Sequence, residues 1–252
     1  MVTLLIDGDI ILYQVASECE GAYDWGNGVY STVANLDEAK GRVVDRIKAL
    51  KISTGSDRVL VALKGDGNFR KLILPTYKQN RAGANPPLLR KALMDWLKKD
   101  KAKSVYSRPM LEGDDVIGIL ATHPTLIPGE RIIWSIDKDL MQIPGKHAMP
   151  DSTIKTMTEA EGQYFHMTQT LTGDAVDGYG GCPNIGPVRA GRILAETEGD
   201  PVRMWQAVLS AYASAGLTAQ HALVMAQVSR ICLATDYDYQ RKVPIPWTPP
   251  SC

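Results

Sequence analysis

Val2-Thr3-Leu4-Leu5-Ile6-Asp7-Gly8-Asp9-Ile10-Ile11-Leu12-Tyr13 opens the chain with an apolar run that stops at an acid. A strand wetted on one face would alternate, so this run predicts a short strand buried on both faces. The pattern returns twice. Asp57-Arg58-Val59-Leu60-Val61-Ala62-Leu63 runs into Lys64-Gly65-Asp66, and Arg131-Ile132-Ile133-Trp134-Ser135-Ile136 runs into Asp137-Lys138-Asp139. Such strands belong to a mostly parallel central sheet covered by helices, an α/β fold. Ligands of these sheets lie off the carboxyl ends of the strands, where Asp7, Asp66 and Asp137 fall. A plain Asp-Gly turn accounts for any one of these acids; three strands ending alike favour a shared site.

Between the strands, Leu36 to Leu50 carries Val43, Val44, Ile47 and Leu50 at helical spacing, and Pro87 opens a helix with Leu89, Ala92, Leu93, Trp96 and Leu97 on one face. The polar stretch around Asp24 and Gly28 reads as a loop. Leu111-Glu112-Gly113-Asp114-Asp115-Val116-Ile117-Gly118-Ile119-Leu120 sets three acids against a core-forming run. Acids in a first turn complement the helix dipole. A third acid there repels its neighbours in a half-buried setting, and a cation offsets that repulsion. Asp174 and Asp177 stand at i and i+3, on one face if that stretch is helical. Cys182-Pro183-Asn184-Ile185-Gly186-Pro187-Val188-Arg189 predicts a hairpin between helices whose backbone N–H groups can meet phosphate.

Net charge is zero, which taken alone argues against a general nucleic-acid binder. The zero hides a division. Residues 64–108 hold twelve Lys and Arg against three acids, and residues 109–177 hold eleven acids against four Lys and Arg. A basic block beside an acidic one suits a site that grips phosphates and holds cations. Within the basic block, Pro75-Thr76-Tyr77-Lys78-Gln79-Asn80-Arg81 combines an aromatic ring with cations, able to stack a base and pair with phosphate. Cys19, Cys182, Cys232 and Cys252 form no C-x-x-C pair and predict neither a zinc site nor disulfides. Asp7 and Asp9 interrupt the N-terminal apolar run, so no signal peptide or membrane span is expected, and the location expected is cytoplasmic.

In order, Ile6-Asp7-Gly8, Asp66 with Phe69-Arg70, Tyr77-Lys78-x-x-Arg81, Glu112-Gly113-Asp114-Asp115, Asp137-Lys138-Asp139 and Gly173-Asp174-x-x-Asp177 resemble the 5′-nuclease superfamily of flap endonucleases, polymerase I 5′-nuclease domains and phage 5′→3′ exonucleases. The phrases around Glu112 and Asp174 are most similar to the replicative exonucleases of short-tailed coliphages. The resemblance runs from about Leu4 to Leu194.

The resemblance implies a first metal cluster at Asp7, Asp66, Glu112, Asp114 and Asp115, and a second at Asp137, Asp139, Asp174 and Asp177. It implies two Mg²⁺ or Mn²⁺ ions, Lys78 and Arg81 on the scissile phosphate, and DNA contacts from Arg70, Lys71, Tyr77, Gly186 and Arg189. It further implies a K⁺ ion at the helix-hairpin-helix. The expected activity is 5′→3′ exonuclease action on duplex DNA, with flap cutting and removal of RNA from RNA–DNA hybrids. A monomer in the cytoplasm (the host's, for a phage protein), with replication proteins as possible partners, completes that expectation. Residues 1–168 are expected as the catalytic α/β domain, with an arch-like basic segment at 76–108, and residues 169–252 as a helical DNA-binding subdomain with a tail. Asn184, and Val188 where a Lys is usual, depart from the family's hairpin. Two other classes compete. A haloacid dehalogenase-type phosphohydrolase would use Asp7 as nucleophile and leave Tyr77 to Arg81 idle. A catalytically silent DNA-binding scaffold would show gaps among the acids.

Overall fold

The computed structural model describes residues 1–101 and 104–250; Cys252, and Lys103 of the expected arch segment, lie outside the described residues. In chain order the first half runs β1 (Val2–Asp7), α1 (Gly8–Glu18), β2 (Glu20–Asp24), β3 (Tyr30–Ala34), α2 (Leu36–Ser53), β4 (Arg58–Ala62), α3 (Arg70–Ile73), α4 (Arg90–Asp100) and β5 (Val105–Tyr106). There follow α5 (Gly113–Thr122), β6 (Glu130–Trp134), β7 (Gly145–Ala148), β8 (Ile154–Met157), α6 (Glu159–Thr172) and the two-residue strands β9 (Gly173–Asp174) and β10 (Tyr179–Gly180). The chain ends with α7 (Pro187–Ala195), α8 (Pro201–Ser214), α9 (Ala219–Ser229), β11 (Tyr237–Asp238) and β12 (Val243–Pro244).

The six-stranded sheet has the order β5-β4-β1-β6-β7-β8, parallel throughout except for β8. β1 sits at its centre, with Leu5 opposite Leu60 on one side and Ile133 on the other. The chain goes from β1 to β4 on one side and later to β6 on the other. That reversal opens a crevice at the carboxyl end of β1, where Asp7 lies.

Both faces of the sheet are covered, as its unbroken apolar strands require. On one face Leu4 and Ile6 pack with Ile11, Leu12 and Val15 of α1, Val43 of α2, and Leu93 and Leu97 of α4. On the other, Leu5, Leu60 and Ile133 pack with Val116, Ile117 and Leu120 of α5. Each such side chain, fully buried, contributes about 1.5–3 kcal/mol relative to exposure. At Gly8 an added Cβ would lie 2.4 Å from Val61 Cγ1 and 2.8 Å from the Ala62 carbonyl oxygen, so only glycine lets α1 start this close to β4. At Gly118 it would lie 2.3 Å from the Cys232 carbonyl oxygen, which fixes how closely the C-terminal segment lies on α5.

Several expectations need correction. The division between residues 168 and 169 falls inside α6, a continuous helix whose cap Thr158 and Glu161 bond reciprocally. The helices α6 to α9 do build their own core around Leu171, Leu194, Met204, Val208 and Tyr212. Past α9, however, the chain returns to the sheet, where Ile231, Cys232 and Tyr237 pack against α5. Segment 76–108 forms no separate arch among the described residues. Its C-terminal half is α4, which starts at Arg90 rather than Pro87 and is held in the core by Leu93 and Leu97. The stretch around Asp24 is a hairpin, β2 to β3, with Tyr23, Trp25, Val29 and Tyr30 exposed. Asp174 and Asp177 are not on a helix: Asp174 starts a turn by accepting from the N–H groups of Val176 (2.7 Å) and Asp177 (3.2 Å). Cys19, Cys182 and Cys232 are free thiols. Among the described residues no helix is long and apolar enough to cross a membrane.

Candidate active site

A cleft of about 1010 Å³ opens at the crevice beside β1. Of the acids picked out from the sequence, Asp7, Asp66, Glu112, Asp114, Asp137 and Asp177 line it, and so do Lys71, Tyr77, Lys78 and Arg81. These residues come from β1, the loop after β4, α3 and the segment after it, the N-cap and first turn of α5, the loop after β6 and the β9–β10 turn. The chain reversal at β1 is what brings separate elements to one point.

Asp7 is 2% exposed. Its Oδ1 caps α1 by accepting from the Ile10 N–H at 3.2 Å, and its Oδ2 accepts from the Ser135 hydroxyl at 3.0 Å. Burial, with Asp9 and Asp137 close by, pushes its carboxyl up to about 7. Asp114, half-buried in the first turn of α5, is held well above the usual carboxylate range by burial and by Asp7, Glu112 and Asp137. Burial, Asp137 and Asp174 push Asp139 up to about 6, and its Oδ1 is buried without a hydrogen-bond partner. Glu112 behaves oppositely. Burial opposes its charge, but Lys78 and Arg70 outweigh that and hold it down to about 2.

The cations are already engaged. Lys78 Nζ lies 2.5 Å from Glu112 Oε1 and 3.4 Å from Asp177 Oδ2, and Arg81 Nη2 lies 2.6 Å from Asp177 Oδ1. Lys78 takes a left-handed conformation (φ 55°) and donates its N–H to the Asp177 carbonyl at 2.8 Å. The single proton of the Tyr77 hydroxyl is shared between Asp177 Oδ2 at 2.8 Å and Glu112 Oε2 at 3.0 Å. Among the described residues no three acidic, thiol or imidazole side chains converge as ligands around one point. The acids that would do so either repel one another or are drawn to Lys78 and Arg81.

This donor set fits a divalent cation. Asp7, buried, and Asp114, half-buried, are mutually repelling carboxyls with raised pKa, and Asp139 Oδ1 is an orphaned buried oxygen. Hard oxygen donors of this kind match Mg²⁺ or Mn²⁺. A cation among them offsets the repulsion that protonation otherwise relieves.

Three side chains take places other than those expected. Both oxygens of Asp115 are occupied: Arg70 Nη1 and Nη2 donate to them at 2.7 and 2.8 Å, and the N–H groups of Cys232 and Glu112 each donate at 3.0 Å. Asp115, 0% exposed, therefore points into the protein rather than the cleft. Arg70, 3% exposed, also donates to the carbonyls of Val228 and Arg230 and cannot reach DNA in this arrangement. The Tyr77 ring is buried against Tyr179, with centroids 6.2 Å apart, so it does not offer a face to a base. Gly186 and Arg189 lie at the start of α7, away from the cleft lining, with Asn184 at φ 60° in the turn before them. Asp174 and Asp139 stand behind the lining, at the Asp177 and Asp137 turns.

Sequence reasoning missed Asp9, Lys64, Arg90 and Ser135. Asp9 accepts from the Lys64 N–H at 2.7 Å and pairs with Arg90 at 3.2 Å. The alternation Asp7-Gly8-Asp9 was a signal for Asp9; nothing in the sequence marks Arg90 out from other surface arginines.

The profile of the 5′-3′ exonuclease N-terminal, resolvase-like domain matches residues 3–170. The exodeoxyribonuclease of Enterobacteria phage T3 is 29% identical, covering 98% of this chain and 93% of its own. The exonuclease of Escherichia phage T7 is 27% identical over the same shares. The flap endonuclease Xni of Shewanella baltica is 30% identical over 53% of this chain and 56% of its own. Among solved structures, the D15 protein of T5 co-crystallised with metal ions superposes with a TM-score of 0.64 at 17% identity, over 90% of this chain and 89% of that one. The bacteriophage T5 D15 flap endonuclease in complex with DNA and metal ions gives 0.63 at 17% identity, over the same shares. At that identity the likeness is one of fold.

Proposed function

The chain belongs to the 5′-3′ exonuclease family through its N-terminal, resolvase-like domain, and on that premise we propose that the cleft hydrolyses phosphodiesters from the 5′ ends of duplex DNA with the help of Mg²⁺ or Mn²⁺. One observation carries the reading: seven acids and the cations Lys78 and Arg81 meet in one cleft at the carboxyl end of β1. Phosphodiesters are anionic and resist attack by water, so a site for them needs both cation holders and phosphate grips.

Asp7, Asp66, Glu112 and Asp114 would hold one ion; Asp137, Asp139, Asp174 and Asp177 would hold a second. A divalent cation held by these carboxylates would supply an activated water and charge stabilisation at the leaving oxygen. Lys78 and Arg81 bind the scissile phosphate and neutralise its growing charge. Ser135 and the Ile10 N–H keep the Asp7 carboxylate aimed into the cleft. Asp115 does a different job from that first expected: with Arg70 it locks the α5 start that carries Glu112 and Asp114. Gly186 and Arg189, at the start of α7, would hold the duplex backbone.

Exonuclease action is preferred over threading of a free flap, because among the described residues of segment 76–108 helix α4 is packed into the core by Leu93 and Leu97. The phosphohydrolase reading uses Asp7 as a nucleophile and leaves Lys78 and Arg81, which line the same cleft, without a role. A duplex labelled at one 5′ end and incubated with Mg²⁺ tests the proposal. Short 5′ products from the wild type and none from Asp114→Asn are expected. Intact duplex in both Mg²⁺ and Mn²⁺ would refute it.

A further inference from the structure

The wall of the cleft formed by α1 and α4 carries cations that the proposed chemistry does not use. Arg90, the first residue of α4, and Lys64, just beyond β4, both line the cleft, as does the half-exposed ring of Tyr13. Asp9 ties them together: its Oδ1 pairs with Arg90 at 3.2 Å and its Oδ2 takes the Lys64 N–H at 2.7 Å. The Arg90 guanidinium lies 6.0 Å from the centre of the Tyr13 ring.

As a purely structural clip, Arg90 would have its donors satisfied. It does not: Nε is buried without a hydrogen-bond partner, and the one ion pair it makes engages Nη2 alone. Among the described residues the Lys64 ammonium makes no ion pair at all, whereas Lys78 and Arg81 are both committed to acids. Two cations against one carboxylate leave this wall net positive beside the acids. It would repel a further metal ion and attract an anion.

We propose that Arg90 and Lys64 form a second phosphate site, which holds the backbone phosphate next to the one being cut and so sets the register of the 5′ end. The site rests on the nuclease reading and extends it from one phosphate to two. A planar guanidinium pre-set by Asp9 keeps the Nη N–H donors that Asp9 does not take for phosphate oxygens. The neighbouring phosphate is either an internal diester or the terminal 5′ monoester, and the same donors would accept both.

Steady-state cleavage of labelled duplexes in Mg²⁺ tests this, with Arg90→Gln, Arg90→Lys and Lys64→Gln, each on 5′-phosphate and 5′-hydroxyl ends. Each glutamine variant should raise KM about tenfold and reduce the slope of log KM against log salt by about one, with kcat within about threefold. Arg90→Lys should restore the salt slope, since it keeps the charge, but only part of the KM, since an ammonium lacks the planar fork. If the site holds the terminal monoester, the wild type prefers 5′-phosphate ends and Arg90→Gln erases that preference; if it holds an internal diester, both ends suffer alike. Arg90→Gln leaves Asp9 unpaired, so Lys64→Gln, which breaks no ion pair, is the safeguard against misfolding. KM and salt slope at wild-type values in both glutamine variants would overturn the proposal, as would a higher KM with an unchanged slope. A wild type that cuts no duplex would sink the nuclease reading itself, a separate outcome from a cutting wild type with unaffected variants.

Discussion

Asp7 shows at the scale of one residue how burial becomes a binding site. Its folded carboxyl is pushed up to about 7 by burial and by Asp9, while an unfolded Asp titrates near 3.8. Between those values the folded protein binds a proton that the unfolded chain has lost, so this group's contribution to stability falls as pH rises through the window. Asp139, raised to about 6, acts in the same direction. Glu112, held down to about 2, acts oppositely: its contribution is present above the ordinary carboxylate range and fades only towards pH 2. The metal-free protein should therefore lose stability between about pH 4 and pH 7 on account of Asp7 and Asp139, and a divalent cation should restore it. Thermal melts with and without Mn²⁺ check this; the rise in Tm should be larger at pH 8 than at pH 5, and an equal rise would contradict it. Lys78 gives a second prediction. Lys78→Met should lower kcat by about 10²–10³-fold, as loss of a charge-stabilising donor does. It should not weaken Mn²⁺ binding measured by calorimetry, because Lys78 occupies Glu112 and Asp177 when no ion is present.

Helix α5 carries Glu112 and Asp114, and its start is secured by the buried Arg70–Asp115 pair. Removing one partner of such a pair leaves a buried charge uncompensated, at a cost of about 3–5 kcal/mol. Arg70→Ala should show that loss in urea unfolding, and Arg70→Lys should recover little of it, since an ammonium cannot make the bidentate contact. A loss within ordinary surface effects would contradict the assignment. Gly8→Ala tests the other anchor: its Cβ meets Val61 and the Ala62 carbonyl, and overpacking of this kind costs about 1–3 kcal/mol. At this scale the sequence was legible where the pattern was local. The buried strands β1, β4 and β6 and helix α2 stand where the apolar runs put them. Arg70 and Asp115 misled because a carboxylate beside two others looks the same whether it faces a cleft or an arginine far away in the chain. Asp174 and Asp177 suit a helix by spacing, and only the side-chain bond from Asp174 to the Val176 N–H shows that they form a turn.

For the whole molecule, the order of the acids along the chain predicted the cleft because a parallel sheet gathers strand ends at one edge. The return of residues 231–237 to α5 left no such mark, since a few apolar residues after a helix can pack anywhere. Its consequence is testable. A fragment ending at residue 168 would lose part of α6 and the contacts of Ile231, Cys232 and Tyr237, so it should lack a cooperative melt by circular dichroism. The Arg90–Asp9 pair was equally invisible, since it depends on how α4 lies on α1. The central claim is that the acids at the carboxyl end of β1 hold metal for cutting DNA from its 5′ ends. The most direct measurement follows a duplex labelled at one 5′ end with wild type, Asp114→Asn and Asp115→Asn in Mg²⁺. The account predicts short 5′ products from the wild type, none from Asp114→Asn, and from Asp115→Asn a loss of activity that tracks its loss of stability. Full cutting by Asp114→Asn, or cutting that persists in EDTA, would contradict it.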